Sequence, residues 1–236
     1  LTFTLLSSNA LCIVLNLPFQ QRSPSSFNLQ PTQIILVQDA DLKQKLAAQA
    51  MLGAGNQYRT KDASVIAFFL SDLEVTKRID RIQQLEQGYR DPNYSNIFPI
   101  ASSFLAGEGH ASLALKQMAT HILSNVRVSP MPTVEPVQAW TYKSTALLAQ
   151  TYVLAATSHD LATCIMEGYD GRRVKELLRI PDRYDVPLAV ATGYEYDGAE
   201  GDYAVERTRR LPMEEVCFQD SFGVPMRIDH QQEGKC

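Results

Sequence analysis

Cysteine, net charge and the usual catalytic signatures are all scarce in this 236-residue chain. Its four cysteines, Cys12, Cys164, Cys217 and Cys236, lie far apart with no CxxC pair. That pattern argues against a disulfide framework or a zinc ribbon and points to a reducing compartment, the cytoplasm. Four scattered histidines (His110, His121, His159, His230) form no HExxH or other ligand spacing. There is no GxGxxG, no Walker loop and no GxSxG. A net charge of −4 argues against a broad nucleic-acid surface, which needs a basic excess to displace counterions. Residues 1–21 carry no charge at all. The run Leu1–Phe19 lacks a basic leading region and is broken by Ser7, Ser8, Asn9, Asn16 and Pro18. It is short for a span of about 20 apolar residues, so a divergent segment, buried or covered by a partner, is expected rather than a membrane anchor.

What is present is an ordinary globular composition, 45% hydrophobic and 20% charged, with residues 22–236 expected to form one domain. Three short apolar runs read as buried strands: Gln33–Gln38 (QIILVQ), Ala63–Leu70 (ASVIAFFL) and Val186–Gly193 (VPLAVATG). Glu215–Phe218 is expected to be a fourth. Helical spacing runs through Leu42, Leu46, Ala47 and Met51, with Gly53 and Gly55 as the stop. Ser71 and Glu74 stand at capping-box spacing ahead of Val75, Ile79, Ile82 and Leu85. Val137–Ala156 is a strong helix, and a short one around Glu176–Leu178 follows Gly171 and ends before Pro181. Between Gln87 and Pro136 only Ala111–Leu123 has a helical pattern, so this region reads as an excursion. Strands separated by long helices predict a mixed α/β or α+β core.

Three polar segments stand out, with a weaker fourth. Arg22–Pro31 (RSPSSFNLQP) is a loop whose two prolines restrict it, presenting Ser25, Ser26, Asn28 and Gln30. These groups suit a neutral hydrogen-bonding edge, or equally a turn that caps a helix. Ile165–Asp170 (IMEGYD) reads as a connector after the long helix. Gly168 in it permits close backbone approach to a flat ligand, and Glu167 is either an acid/base group or a solvated carboxylate. Glu206–Pro212 (ERTRRLP) concentrates Arg207, Arg209 and Arg210, a fit for a phosphate monoester or a solvated basic turn. Asn56–Asp62 (NQYRTKD) adds Asn56, Arg59 and Lys61.

In this order and spacing the segments resemble the FMN-dependent nitroreductase family, from about Arg22 to Val216. The telling parts are SPSSFNLQP before a strand, NQYRTKDASVIAFF, the helix AWTYKSTALLAQTYVLAATSH running into TCIMEGYD, the IPDRY turn, and RRLP. The resemblance implies an α+β fold with three α/β/α layers, a mixed, mainly antiparallel sheet flanked by helices, and a homodimer holding FMN at the subunit interface. It makes Pro24, Ser25, Ser26 and Asn28 the loop that one subunit extends over the partner's flavin. Asn56 and Arg59 match the positions that read the pyrimidine edge. Ile165, Met166, Glu167 and Gly168 match the stretch beside the dimethylbenzene ring and N5, where a backbone N–H points at N5. Arg210 matches the phosphate-binding arginine, and Arg207 or Arg209 replaces a lysine often found where Thr208 stands.

The implied activity passes a hydride from NAD(P)H, the co-substrate, through flavin N5 to a nitro compound, quinone or similar small-molecule electron acceptor by a ping-pong mechanism. The alternative is a non-catalytic, cofactor-poor dimeric interaction protein of the same fold. The chain departs from the family in three places. Residues 1–21 hold no Arg or Lys, so the basic Arg-x-Ser-x-Arg-like motif has no counterpart and the phosphate grip falls on the C-terminal arginines. Ile165 and Asp160 stand where a proline and a glycine are common.

Overall fold

The run ASVIAFFL lies at the centre of the first of two compact units, Leu1–Tyr196 and Asp197–Cys236. The computed structural model describes residues 3–4, 22–126, 130–195 and 209–224. Its elements, in chain order, are β1 (Phe3–Thr4), β2 (Thr32–Val37), α1 (Ala40–Gln49), α2 (Gly53–Asp62), β3 (Val65–Asp72), α3 (Ile79–Glu86), α4 (Pro92–Leu105), β4 (Ala106–Gly107), α5 (His110–Val126), β5 (Glu135–Pro136), α6 (Val137–Thr157), β6 (Ala162–Met166), α7 (Gly171–Leu178), β7 (Tyr184–Glu195) and α8 (Met213–Val216). Two short 3-10 turns, Ser26–Asn28 and Val75–Arg78, join them.

Every residue of β3 is buried, because helices cover both faces of the sheet. Ile66, Phe68 and Leu70 point one way, into a core shared with Leu46 of α1 and Val174 of α7. Ala67 and Phe69 point the other way, against Ala149, Tyr152 and Ala156 of α6. A strand covered on both sides loses the polar/apolar alternation of a half-exposed strand, which is why this one reads as a continuous apolar run. β2 and β7 flank β3 in antiparallel register, with Ile35 opposite Phe68 and Val190 opposite Ala67. On its other edge β7 pairs antiparallel with β6, Thr163 opposite Thr192, and β1 pairs with its end, Thr4 opposite Tyr194. Among the described residues the only parallel ladder is the two-residue pair β4–β5, outside the main sheet. The result is the expected α+β fold, a largely antiparallel sheet between helical layers.

Several local expectations need correction. Of the expected connector Ile165–Asp170, Ile165 and Met166 belong to strand β6, which pairs with β7, and only Glu167–Asp170 connect it to α7. Gly53 and Gly55 do not stop α1, which already ends at Gln49. They sit in the first turn of α2, where Gly53 takes φ +74° to turn the chain between the two helices. Ser71 is not an N-cap. It is still in β3, and its hydroxyl meets that of Thr145 at 2.6 Å in the core. The cap-like bond comes from Asp72, whose Oδ1 accepts the Glu74 N–H at 3.0 Å. Val75, Ile79 and Ile82 are buried as expected, but Leu85 is half exposed.

The excursion is more helical than its pattern suggested. α4 starts at Pro92, with Asp91 as N-cap accepting from the Asn93 N–H, and Pro99 inside it masks the periodicity. In the second unit, Glu215–Phe218 is not a strand. Glu215 and Val216 belong to α8, a single turn entered through Pro212 with Glu214 and Glu215 near its N-terminus, where negative charge is favoured. Phe218 and Phe222 are in ring contact nearby, centroids 4.9 Å apart. No described helix is long and apolar enough to cross a membrane.

Candidate functional site

Gly168 and Asn56, 112 residues apart in sequence, are brought into direct contact where β6 runs into α7. An antiparallel bridge between Met51 and Tyr169 ties this turn to the end of α1. The Leu52 N–H donates to Gly168 O at 2.9 Å, and the Asp170 N–H to Ala50 O at 2.8 Å. Asn56, in the first turn of α2, donates its Nδ2 to Leu52 O at 3.1 Å and to Gly168 O at 3.2 Å. The approach requires glycine, since a Cβ on residue 168 would run into Asn56 Nδ2. Among the described residues nothing donates to Asn56 Oδ1 and nothing accepts from the Gly168 N–H. The turn therefore offers one acceptor and one backbone donor that no other described residue uses.

The surroundings suit a flat, amphipathic ligand. Arg59 is one helical turn beyond Asn56 and reaches back toward Gly55, and among the described residues its buried Nε has no hydrogen-bond partner. Leu52 and Ile165 leave large apolar side chains exposed, 59% and 48%. Met166 is different. The strand alternation turns its side chain into the core, where it is 2% exposed, so only its main chain can face a ligand. Glu167 is exposed. Tyr169 anchors the turn by donating its hydroxyl to Val186 O at 2.9 Å. Burial, with Glu167 and Tyr142 adding, holds that phenol well above its usual range, and it stays a neutral donor.

The loop 22–31 forms a second group. Leu29 is buried against Ile79, Ile82 and Phe98, and Phe27 packs on Phe98 with centroids 6.2 Å apart. Asn28 is turned inward on the chain itself. Its Nδ2 donates to Glu86 Oε1 at 2.9 Å and its Oδ1 accepts from Gln30 Nε2 at 3.2 Å. Pro24 and Ser26 are exposed and Ser25 is half-buried. A cleft lined by Pro24, Ser25, Thr32, Arg78, Ser144 and Leu148 opens beside the loop. Among the described residues no hydrogen bond joins this loop to the Asn56–Gly168 pair. Arg209 and Arg210 are exposed in the second unit, while Arg207 lies outside the described residues.

The sequence reading missed Leu52, whose backbone positions Gly168, and the charged cluster of Asp72, Arg78 and Arg183. Asp72 carries a readable signal, an acid closing an apolar strand run; its partners, brought in from two other segments, do not. Burial works to raise the Asp72 carboxyl, but hydrogen bonds from Arg78, the Glu74 N–H and Arg183 outweigh it and hold the group below its usual range.

Unused donors and an acceptor beside exposed apolar surface suit a planar ring system with a polar edge. A model of the nitroreductase family matches residues 8–194. An NADH dehydrogenase of Thermus thermophilus is 27% identical over 195 residues, covering 83% of this chain and 78% of the relative. MhqN of Bacillus subtilis, named for NAD(P)H nitroreductase activity, is 25% identical over 179 residues, covering 73% and 72%. A structure from Exiguobacterium sibiricum, solved in complex with FMN, superimposes with a TM-score of 0.59 at 18% identity, covering 92% of this chain and 89% of that one. The chain belongs to the nitroreductase family of NAD(P)H-dependent oxidoreductases.

Proposed function

We propose that the protein is a homodimeric FMN enzyme that carries a hydride from NAD(P)H to a nitro compound, quinone or similar small acceptor in two alternating half-reactions, in the cytoplasm. The observation that carries this reading is the Asn56–Gly168 contact, with a Gly168 N–H and an Arg59 Nε beside it that have no hydrogen-bond partner among the described residues. Bound there, FMN would supply the reversible hydride carrier, chemistry that no side chain of this site provides.

The chain's own residues bind and orient. Asn56 and Arg59 would hold the polar pyrimidine edge, and a cation there favours a ring that gains negative charge on reduction. The Gly168 N–H would donate to the ring, with Ile165 lining it through its exposed side chain and Met166 and Glu167 through their main chain. Glu167 and Gly168 thus act mainly as backbone. Pro24, Ser25 and Ser26 would cover the cofactor from the partner subunit, with Asn28 holding that loop in shape. Arg207, Arg209 and Arg210 are the proposed phosphate ligands, on the strength of the RRLP resemblance. The exposed Leu147 and Leu154 of α6 support an apolar contact between two copies.

The test is direct. The purified chain is expected to be yellow, to release FMN on denaturation, and to bleach when NAD(P)H is added without oxygen. A colourless protein that takes up no FMN would overturn the reading and favour the non-catalytic interaction protein.

A further inference from the structure

Asp72, the last residue of β3, is a fully buried carboxylate. Its Oδ2 accepts from Arg78 Nε at 2.7 Å and from Arg183 Nη2 at 2.6 Å. A second N–H of the same Arg78 fork, on Nη1, donates to Gln30 O at 2.9 Å. Asp72 adds a backbone link of its own, donating its N–H to Pro31 O at 2.8 Å. The end of the loop is therefore pinned twice, by one acid and one guanidinium.

The pinned residue controls the rest of the loop. Gln30 is held at φ +48°, and Phe27 and Asn28 are also left-handed, at +54° and +53°. None is glycine, so each would relax toward negative φ if released. The Gln30 N–H donates to Ser25 Oγ at 3.0 Å, and its side-chain amide donates to Asn28 O and Oδ1. Ser25 is thus oriented by Gln30, and Gln30 by Arg78.

We propose that Arg78, locked by Asp72, is a positioning residue that holds the loop 24–30 ready to receive FMN by fixing Gln30 and through it the Ser25 hydroxyl. This rests on the reading of that loop as a flavin-covering element. A planar fork is suited to the task, since it sends separate N–H groups to two acceptors at once, whereas an ammonium is a single flexible point charge. The buried carboxylate keeps the fork in place, because Asp72 without its cations would be an uncompensated charge. Arg78 also lines the cleft beside Ser25, so the clamp lies at the proposed binding surface.

The test compares the wild-type full chain with Arg78→Lys and Ser25→Ala. Lysine retains a cation for Asp72 but cannot also span to Gln30 O. In the FMN-free protein, Arg78→Lys is expected to speed amide exchange in residues 25–30 by tenfold or more while leaving β3 and β7 protected as in wild type. In FMN titrations it is expected to raise Kd about tenfold. Ser25→Ala should weaken FMN in the wild-type background but add little on top of Arg78→Lys, because both act through one hydroxyl. Unchanged exchange in residues 25–30, or effects on Kd that simply multiply, would overturn the proposal. A wild-type chain that binds no FMN would instead defeat the functional reading and the loop's part in it. The exchange measurement then upholds or overturns the clamp alone.

Discussion

Gly168 shows how much depends on one missing methyl group. Its carbonyl serves both Leu52 and Asn56, and the space above its Cα is filled by the Asn56 amide. Gly168→Ala should push Asn56 aside and weaken FMN by about tenfold or more, measured by fluorescence titration. The cost in stability is roughly 1 kcal/mol, the scale of one lost hydrogen bond. Glu167 makes the opposite case. It is exposed and is proposed to act through its main chain, so Glu167→Gln should retain substantial flavin reduction by NAD(P)H in stopped-flow. Complete loss of reduction with FMN still bound would make the carboxylate essential. Both residues were legible as candidates in IMEGYD. The contact of Gly168 with Asn56 was not, because it depends on Asn56 arriving from another helix.

α6 is an element with two apolar faces. Thr141, Thr145, Ala149, Tyr152 and Ala156 are buried toward the sheet, spaced three and four apart as one helical stripe requires. Leu147 and Leu154 sit one heptad apart on the far side, 49% and 62% exposed. Sequence periodicity marks the helix strongly but merges the two stripes, since it does not know which one meets the sheet. If the outer stripe joins two copies, Leu147→Asp with Leu154→Asp should convert the dimer to monomer in light scattering and release FMN, while single-chain helix content is kept. Dimer and FMN content unchanged at micromolar concentration would remove α6 from the interface. β6 shows the converse limit. ATCIM is too short and mixed to announce a strand, and only pairing with β7 makes it one.

The whole molecule should be stable within limits set by two buried groups. The Asp72 carboxyl is held below its usual value of 3.8. Its contribution is therefore complete above about that pH and is lost as pH falls through the lower folded value. Asp72→Asn is expected to destabilise by roughly 3 kcal/mol at pH 6, the low end for breaking a buried pair. Its partners Arg78 and Arg183 are one fifth and one third exposed, at 20% and 33%. In urea titrations the gap between wild type and variant should shrink below pH 3.8, and a constant gap would remove Asp72 as its source. At the other end, burial raises the Tyr152 phenol to about 12, against a smaller opposing effect of its hydrogen bond with Thr192. Stability tied to it is present below pH 10 and lost as pH rises through about 12, and Tyr152→Phe should blunt that alkaline loss.

By itself the sequence settled what depends on local pattern and on residue chemistry. β3 and β7 were readable because burial on both faces leaves unbroken apolar runs, and α6 because its period spans several turns. The order of SPSSFN, NQYR, IMEGYD and RRLP carried the family resemblance. Tertiary structure alone decided what depends on residues far apart in the chain: that Asn56 lies against Gly168, that Met166 points inward, and that Asp72 ties Arg78 and Arg183 to the loop ending at Gln30. The reason is physical. A hydrogen bond or a buried ion pair is set by positions in space, and Asn56 and Gly168 alone are separated by 112 residues, a distance over which local periodicity carries no information.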